Sequence, residues 1–235
     1  MPVVNFSPPL LEGWLIKRYK RFFVDVELLS GEIVVAHCPN TGSMLGVIEQ
    51  GRCVGLSFHS DPKRKLSYTL EMIADDGVMV GVNTLNPNKL VSASLQRHFF
   101  PMFEGYSGIH KEVKINTFSR IDFALTSLEK PTCYIEVKNV HYKKGDRAYF
   151  PDSVTKRGQK HIKELIYLKE QGYRCAMLYI IQREDVNAFS FADFIDSQYT
   201  KLAQEAAQKE VEMYAFTTSV NFDRIELQHA ISIKF

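Results

Sequence analysis

The stretch SRIDFALTSLEKPTCYIEVKNV at residues 119–140 decides the fold predicted for the second half of the chain. It contains two apolar runs separated by a polar segment with a proline, which predicts two short strands joined by a turn. Side chains of a strand alternate between its two faces. Ile121, Phe123 and Leu125 therefore share one face of the first strand, and Asp122 lies on the other. This strand is predicted to carry a carboxylate opposite an apolar side.

The second strand repeats the pattern. Ile135 and Val137 lie on its apolar face, whereas Glu136 and Lys138 project together from the opposite face. Asp122 and Glu136 are 14 positions apart, a separation that suits a tight connection between neighbouring antiparallel strands. Pairing of the two strands would bring Asp122, Glu136 and Lys138 into one polar cluster beside an apolar sheet.

A cluster of two carboxylates and a lysine has a clear chemical use. Carboxylates bind Mg²⁺, which keeps several waters and contacts phosphate oxygens. Such a metal polarises a phosphodiester and lowers the pKa of a bound water, while a lysine neutralises charge that develops on the phosphate. Asp122, Glu136 and Lys138 are therefore candidate catalytic residues at a site for Mg²⁺ or Mn²⁺. A surface salt bridge between two strands is the alternative that the pattern leaves open.

The sequence around these strands alternates between helix and strand patterns, which predicts an α/β (α+β) domain. Strands are predicted at residues 111–115, 119–125, 133–140, 174–182 and 211–217, and helices near residues 88–98, 158–171 and 196–209. Asn88 is a candidate N-cap for the first helix, and Gly172 is a natural residue to end the second.

The first half of the chain has a different pattern. Residues 13–83 contain short β-segments separated by turn signals, such as CPNTG at residues 38–42 and DDG at residues 75–77. Five or six strands in this stretch predict a small barrel or sandwich, and a five-stranded OB-type barrel is one candidate. We therefore predict a β domain over residues 1–84, for which an OB-like nucleic-acid-binding barrel is a candidate, and an α/β domain over residues 85–235.

The composition is that of an ordinary globular protein. Of 235 residues, 45% are hydrophobic and 24% are charged, and the formal net charge is +2. The longest apolar run, at residues 175–181, is far shorter than the ~20 residues that span a bilayer. The first residues lack the pattern of a secretory signal, and the four cysteines lack zinc-ligand or disulfide spacing. We therefore expect a cytoplasmic protein with no membrane partner.

The small net charge conceals two basic segments. Residues 15–23 carry four basic residues and no acid, interleaved with aromatic side chains, and residues 143–163 carry seven basic residues. Such segments can bind phosphates and stack unpaired bases. The candidate nucleic-acid-binding residues are Lys17, Arg18, Lys20, Arg21, Phe22, Lys156, Arg157 and Lys160. A solvated strand edge, with Phe22 or Phe23 in the barrel core, is the alternative.

Polar residues beside the second basic segment are candidates for supporting roles. Gln159 shares the inward face of the predicted helix with Ile162 and can touch the metal cluster, although a buried amide bonded to backbone fits the pattern equally well. Asp152 is a second supporting candidate. The seven histidines show no metal-ligand pairing, so His141 and His161 are interpreted as structural or surface residues.

Several longer motifs resemble a known family. They are CPNTG (38–42), NTLNPN (83–88), SRIDF (119–123), YIEVKNV (134–140) and FPDSVTKRGQKHIKEL (150–165). With them the chain resembles the bacterial sugar fermentation stimulation protein A family over nearly its whole length. The resemblance implies an N-terminal OB-like β-barrel followed by a PD-(D/E)xK restriction-endonuclease-like α/β domain. It also implies DNA binding without strong sequence preference and a connection with the regulation of maltose use.

The resemblance assigns the family's metal-site pattern to Asp122, Glu136 and Lys138. Related nucleases usually add an acid from the first helix, which contains none here, and Glu112 is the nearest substitute as a metal ligand. One hypothesis is a DNA-binding regulator of sugar metabolism that carries a nuclease-like metal site. The alternative is an active Mg-dependent nuclease that hydrolyses DNA or RNA, and a sugar-binding barrel is a weaker third reading. Single-stranded DNA or RNA as partner, and the oligomeric state, stay open.

Overall fold

A computed structural model of the chain describes residues 1–116 and 119–235. Two β-sheets and three α-helices make up the fold of these residues. The strands are β1 (Val3–Asn5), β2 (Leu11–Tyr19), β3 (Phe23–Leu28), β4 (Ile33–His37), β5 (Cys53–Phe58), β6 (Tyr68–Asp75), β7 (Val78–Gly81), β8 (Gly108–Asn116), β9 (Ser119–Thr126), β10 (Cys133–Val140), β11 (Lys143–Lys144), β12 (Arg147–Phe150), β13 (Arg174–Ile181), β14 (Ala188–Phe191), β15 (Glu212–Val220) and β16 (Arg224–Lys234). The helices are α1 (Asn86–Gln96), α2 (Lys156–Glu170) and α3 (Ser197–Gln208), and a 3₁₀-helix covers Pro101–Phe103.

The first sheet is a closed barrel. Its strands follow the order β4-β3-β2-β5-β6, and β6 also pairs with β4, which closes the ring of five. β7 extends the sheet beside β6. The enclosed core consists of apolar side chains that alternate along the strands, among them Leu15, Val24, Val26, Val34, Ala36, Val54, Leu56, Leu70 and Ile73. The predicted OB-type barrel is confirmed.

The first hairpin of the barrel turns at Lys20 and Arg21. Residues 14–29 contain no Gly, Pro or Asn that would signal a turn. Instead, Lys20 and Arg21 take φ values of 48° and 63° and join β2 to β3. Two successive residues with positive φ match the twist of a tight hairpin, a conformation in which residues other than glycine are strained. The turn therefore places two cations at its tip.

The second sheet is a ten-stranded mixed sheet with helices on both faces. Its main path runs β11-β12-β14-β16-β15-β13-β10-β9-β8, and β1 pairs with β16 outside this path. Helical crossovers make β10, β13 and β15 parallel. α1 packs on one face through Leu90 and Leu95, and α2 and α3 pack on the other through Leu165 and Leu202. The predicted α/β class is confirmed.

The N-terminal residues pack with the second sheet rather than with the barrel. β1 pairs with β16, with Val3 opposite Glu226, and Leu10 is buried in the core under α1. Within the barrel β2 is already paired on both sides, so it leaves β1 no edge to pair with. Separate folding of residues 1–84 and 85–235 stays a prediction.

The helix predictions hold with one exception. α2 and α3 lie where their apolar periodicity places them, and Gly172 follows α2 with a φ of 88°. α1 begins at Asn86, and Leu85 at its N-cap makes no side-chain hydrogen bond. The prediction of Asn88 as the cap is wrong, because Pro87 fits the first turn and places Asn88 inside the helix. In the part of the chain that the structure describes, no helix is long and apolar enough to cross a membrane.

Arg183 joins the two sheets. Its side chain is completely buried, and its Nη2 donates to Asp75 Oδ2 of β6 at 2.9 Å. Its Nε donates to Asp185 Oδ1 at 2.6 Å, and its Nη1 donates to the carbonyl of His141 at 3.0 Å. These bonds satisfy a charge that would be costly to bury alone. The barrel is therefore fixed to the second sheet around one guanidinium group.

Arg183→Ala should destabilise the protein strongly, because the variant leaves the buried Asp75 carboxylate with less compensating charge. We expect a loss of about 3–5 kcal/mol in the free energy of unfolding, measured by urea denaturation. Arg224→Ala removes an exposed arginine that pairs with Glu226 and should cost no more than about 1 kcal/mol. Equal losses in the two variants would contradict the role given to Arg183.

Candidate metal and nucleic-acid site

A cleft of about 900 Å³ lies where the barrel meets the second sheet. The second sheet contributes Glu112, Asp122, Glu136 and Lys138, α2 contributes Lys156, Arg157 and His161, and the barrel contributes Arg18 and Arg21. The predicted metal cluster and four of the eight predicted nucleic-acid-binding residues therefore share one cavity.

Asp122 lies where the pairing between β9 and β10 stops. Phe123 and Ile135 are the last paired residues at this end, and beyond them Val137 N donates to Asp122 Oδ2 at 2.8 Å. Asn88 Nδ2 of α1 donates to Asp122 Oδ1 at 2.8 Å. A backbone amide and a helix side chain thus fix the carboxylate at the cleft wall. This contact gives the Asn88 amide a partner in place of the predicted helix cap.

Glu136 is buried, with 2% of its surface exposed. Lys138 Nζ donates to Glu136 Oε1 at 2.5 Å, and His161 Nδ1 of α2 bonds to the same oxygen. Glu136 Oε2 is buried without a hydrogen-bond partner among the described residues. One oxygen of this carboxylate is therefore strongly compensated, while the other keeps its full capacity to accept a ligand bond.

The two carboxylates have opposite pKa shifts. Burial and the neighbouring charge of Glu136 raise the pKa of Asp122 to about 6. Burial also opposes the charged form of Glu136, but Lys138 and the bonded His161 lower the pKa of this group to about 2. Glu136 is therefore charged at neutral pH, and Asp122 releases its proton close to neutrality.

His161 is a member of the site that the sequence analysis missed. It lies on the inward face of α2, three residues after Gly158 and four before Leu165, and this spacing on an apolar face was the available signal. The predicted supporting residue Gln159 makes a different contact. Its Nε2 donates to the two carboxylate oxygens of Asp196 at 2.8 and 3.0 Å, which ties α2 to the start of α3 instead of to the carboxylate cluster.

Two carboxylates at the cleft wall can supply ligands to a divalent cation. Oxygen donors suit Mg²⁺ or Mn²⁺. Glu136 Oε2, which has no hydrogen-bond partner in the part of the chain that the structure describes, is such a donor. Within residues 1–116 and 119–235, no group of three or more His, Cys, Asp or Glu side chains is arranged as a metal site. Glu112, the predicted further ligand, is exposed on β8 with a φ of 52°, and its role stays a prediction.

Arg18 shapes the barrel side of the cleft. Its Nη2 donates to the carbonyls of Asn40, Gly42 and Arg21 at 2.8, 2.9 and 3.0 Å, and its Nη1 donates to the carbonyl of Ser43 at 3.2 Å. One guanidinium group thus holds the hairpin tip against the loop that follows β4. Arg18 is committed to these carbonyls, so Arg21 is the barrel cation that extends the basic wall.

The other predicted basic residues differ in position. Lys17 Nζ pairs with Asp25 Oδ2 at 3.4 Å, and Lys160 Nζ pairs with Glu164 Oε1 at 3.7 Å. The lining given above does not include Lys17, Lys20, Phe22 or Lys160, whereas it includes Lys156 and Arg157 at the start of α2. Nucleic-acid binding by any of these residues stays a prediction.

Asp152 fastens the barrel loop to the second sheet. Its Oδ2 accepts from Met44 N at 2.8 Å and from Ser43 Oγ at 3.2 Å, and Ser43 Oγ also donates to the Asp152 carbonyl at 2.5 Å. A Cβ at Gly42 would lie 2.7 Å from the same carboxylate, so only glycine permits this approach. The supporting role predicted for Asp152 thus takes the form of a contact that holds the cleft wall.

The fold and the site together define a class of protein, in which an OB domain is joined to a restriction-endonuclease-like α/β domain. Residues 16–82 match the SfsA N-terminal OB domain, and residues 85–224 match the sugar fermentation stimulation protein RE domain. The chain belongs to the sugar fermentation stimulation protein family, which confirms the resemblance noted in the sequence.

Relatives of known sequence and structure agree with this assignment. A sugar fermentation stimulation protein homolog of Synechococcus sp. is 49% identical and covers 92% of this chain and 90% of its own. A homolog of Pseudoalteromonas atlantica is 43% identical, and the match covers 97% of this chain and 98% of the homolog. The structure of Pyrococcus furiosus SfsA in complex with Ca²⁺ superposes with a TM-score of 0.91 at 25% identity and covers 100% of both chains.

Asp122→Asn should change how stability depends on pH. The folded-state pKa of Asp122, about 6, exceeds its ordinary value of 3.8, so the folded state binds this proton more tightly than the unfolded state. The resulting stabilisation is complete below the unfolded pKa and is lost as the pH rises through the folded pKa. We expect the wild type to lose about 1–3 kcal/mol more unfolding free energy than the variant from about pH 4 to pH 7.

The measurement is urea denaturation across this pH range without divalent cations. Asp193→Asn changes an exposed aspartate and is the matched control, which should keep the wild-type slope. A parallel pH profile for Asp122→Asn and wild type would show that the Asp122 carboxyl does not carry the effect.

Proposed function

We propose that the cleft binds DNA and that Asp122 and Glu136 hold a divalent cation, Mg²⁺ or Mn²⁺, at its wall. The observation that carries the proposal is the buried Oε2 of Glu136, which has no hydrogen-bond partner among the described residues and lies in the same cavity as a second carboxylate. Buried carboxylate oxygens are normally satisfied. A cation with oxygen ligands satisfies this atom and removes the repulsion between the two acids.

The Ca²⁺ complex of the Pyrococcus furiosus protein supports a divalent cation in this fold. Ca²⁺ and Mg²⁺ both take oxygen ligands, and Mg²⁺ uses one or two carboxylates together with water and phosphate oxygens. Asp122 and Glu136 supply the two carboxylates that a Mg²⁺ site of this kind needs. Glu112 is the residue of the cleft that could add a third carboxylate.

The residues of the chain have distinct parts in this site. When bound, the cation would polarise a phosphate oxygen and lower the pKa of a coordinated water. Lys138 and His161 keep Glu136 charged, so that its carboxylate is ready as a ligand at neutral pH. Asp122 must release its proton, which its pKa of about 6 permits. The Lys138 ammonium group, which donates to Glu136, would also neutralise charge on a phosphate.

The basic side chains of the cleft support DNA as the partner. Arg21 on the barrel and Lys156 and Arg157 on α2 line the same cavity as the carboxylates. Cations that contact phosphates release condensed counterions, which gives affinity without sequence preference. A regulatory role in sugar metabolism would act through such binding.

Phosphodiester hydrolysis is the second candidate function. The specific observation in its favour is that Lys138 Nζ lies beside the carboxylates, 2.5 Å from Glu136 Oε1. Without a cation the two acids weaken the binding of a phosphate, whereas metal-dependent hydrolysis uses both acids and the lysine. DNA with a single labelled end, incubated with Mn²⁺ or with a chelator, tests this candidate. Metal-dependent shortening that Lys138→Met abolishes would establish hydrolysis, and intact DNA would leave binding alone.

Mn²⁺ should raise the thermal stability of the wild type, because a ligand specific for the folded state stabilises it by mass action. At a concentration of about 100 Kd the increase in unfolding free energy is about 2.7 kcal/mol. Asp122→Asn and Glu136→Gln should each lose this stabilisation, and Asp193→Asn should keep it. Calorimetric titration with Mn²⁺ gives the affinity directly. Absence of heat and of stabilisation, with and without DNA, would refute the cation site.

Removing the Lys156 and Arg157 side chains together should weaken DNA binding at every sequence. Each lost phosphate contact should flatten the slope of log affinity against log salt by about 0.9. The control variant combines Lys163→Ala with Lys201→Ala and removes the same charge from exposed positions outside the cleft lining. Fluorescence anisotropy at several salt concentrations gives both slopes, and equal slopes would remove the start of α2 from the interface.

A further inference from the structure

An aromatic row crosses the outside of the barrel, away from the carboxylate cluster. Tyr19 on β2 lies directly opposite Phe23 on β3, which lies directly opposite His37 on β4. The rings of Tyr19 and Phe23 stack with centroids 5.6 Å apart and planes at 14°. All three side chains are half-buried, so part of each is accessible on the surface of three successive strands. The Lys17 ammonium group lies over the Tyr19 ring, 5.5 Å from its centroid.

A cavity of about 290 Å³ is built on this row and has a basic rim. Phe23 and His37 form its floor, and Arg64, Lys65 and Leu66 from the connection between β5 and β6 complete it. The guanidinium of Arg64 is anchored by a bond from Nη2 to Thr69 Oγ1 at 3.0 Å. Lys65 is exposed. Aromatic faces beside fixed cations are the elements with which proteins hold unpaired bases and their phosphates.

The cavity and the cleft are lined by neighbouring residues of the hairpin tip. Arg21 lines the cleft and Phe23 lines the cavity, so a single residue of the chain lies between the two linings. Phe22 between them is 45% exposed. The Cα atoms of Arg21 and Phe23 are therefore at most about 7 Å apart.

We propose that the row of Tyr19, Phe23 and His37, together with Arg64 and Lys65, binds single-stranded DNA that continues from the cleft over the barrel. The inference rests on the proposed function of the cleft. It adds that the barrel selects single-stranded over double-stranded DNA. In a duplex the base faces are covered by neighbouring base pairs, whereas an unpaired base can stack on a protein ring. β3 and β4 correspond to the second and third strands of the barrel, the face with which OB-folds bind oligonucleotides.

The test compares a labelled dT oligonucleotide of about 16 nucleotides with a duplex of equal length. Phe23→Leu keeps an apolar side chain against the barrel and removes the ring, and it should lower affinity for the single strand about tenfold while leaving duplex affinity unchanged. Tyr167→Leu, which removes a 58% exposed ring on α2, is the matched control and should bind both DNAs like the wild type. Thermal denaturation verifies the fold of each variant.

Lys65→Ala provides a second variant, because this exposed side chain can be removed without disturbing the core. It should weaken single-strand binding and flatten its salt dependence by about 0.9. Unchanged single-strand affinity in both Phe23→Leu and Lys65→Ala would overturn the barrel site, and so would an equal loss on duplex DNA.

The same binding measurements distinguish failure of the barrel site from failure of the proposed function of the cleft. If Phe23→Leu weakens single-strand binding while removal of Lys156 and Arg157 has no effect, the barrel site stands and the proposed cleft function fails. If only the latter change weakens binding, the cleft stands and the barrel site fails. A wild type that binds neither DNA refutes both.

Discussion

The burial of the Glu136 carboxylate is the constraint on which the cleft depends. Only 2% of the surface of Glu136 is exposed, so its negative charge needs compensation by opposite charge and hydrogen bonds. Lys138 supplies part of it from the same strand, and His161 supplies the rest from α2. The helix can therefore pack on the sheet only in the register that brings His161 to this oxygen. The chemistry of the site and the packing of α2 are consequences of one buried group.

Two polar junctions determine the shape of the cavity around that group. Arg183 joins the barrel to the second sheet in the interior, and Asp152 fastens the loop after β4 at the rim. Arg18 completes the wall by holding the same loop against the hairpin tip. A cleft built from two sheets exists only while both junctions are intact, so substitutions far from the carboxylates can still change binding.

Local patterns in the sequence predicted the positions of helices and strands. They did not predict side-chain contacts between residues that are distant in the chain. Alternation along two strands was sufficient to place Asp122, Glu136 and Lys138 at one cavity, and helical periodicity located α2 and α3. The role of His161 was missed, because periodicity shows which side of a helix faces the sheet but not which strand residue it meets. Asn88 was read as a cap for the same reason, since its partner lies on another element. The hairpin at Lys20 carries no glycine or asparagine, so its turn left no signal.

The pairing of β1 with β16 has a consequence for the order in which the protein is built. Val3 pairs with Glu226, which is made only after the barrel, the helices and nearly all other strands. The barrel strands are close neighbours in the chain and can associate during synthesis. The second sheet cannot be completed until β16 has emerged, and contacts between such distant residues form slowly. β1 therefore has no partner strand until β16 has been made.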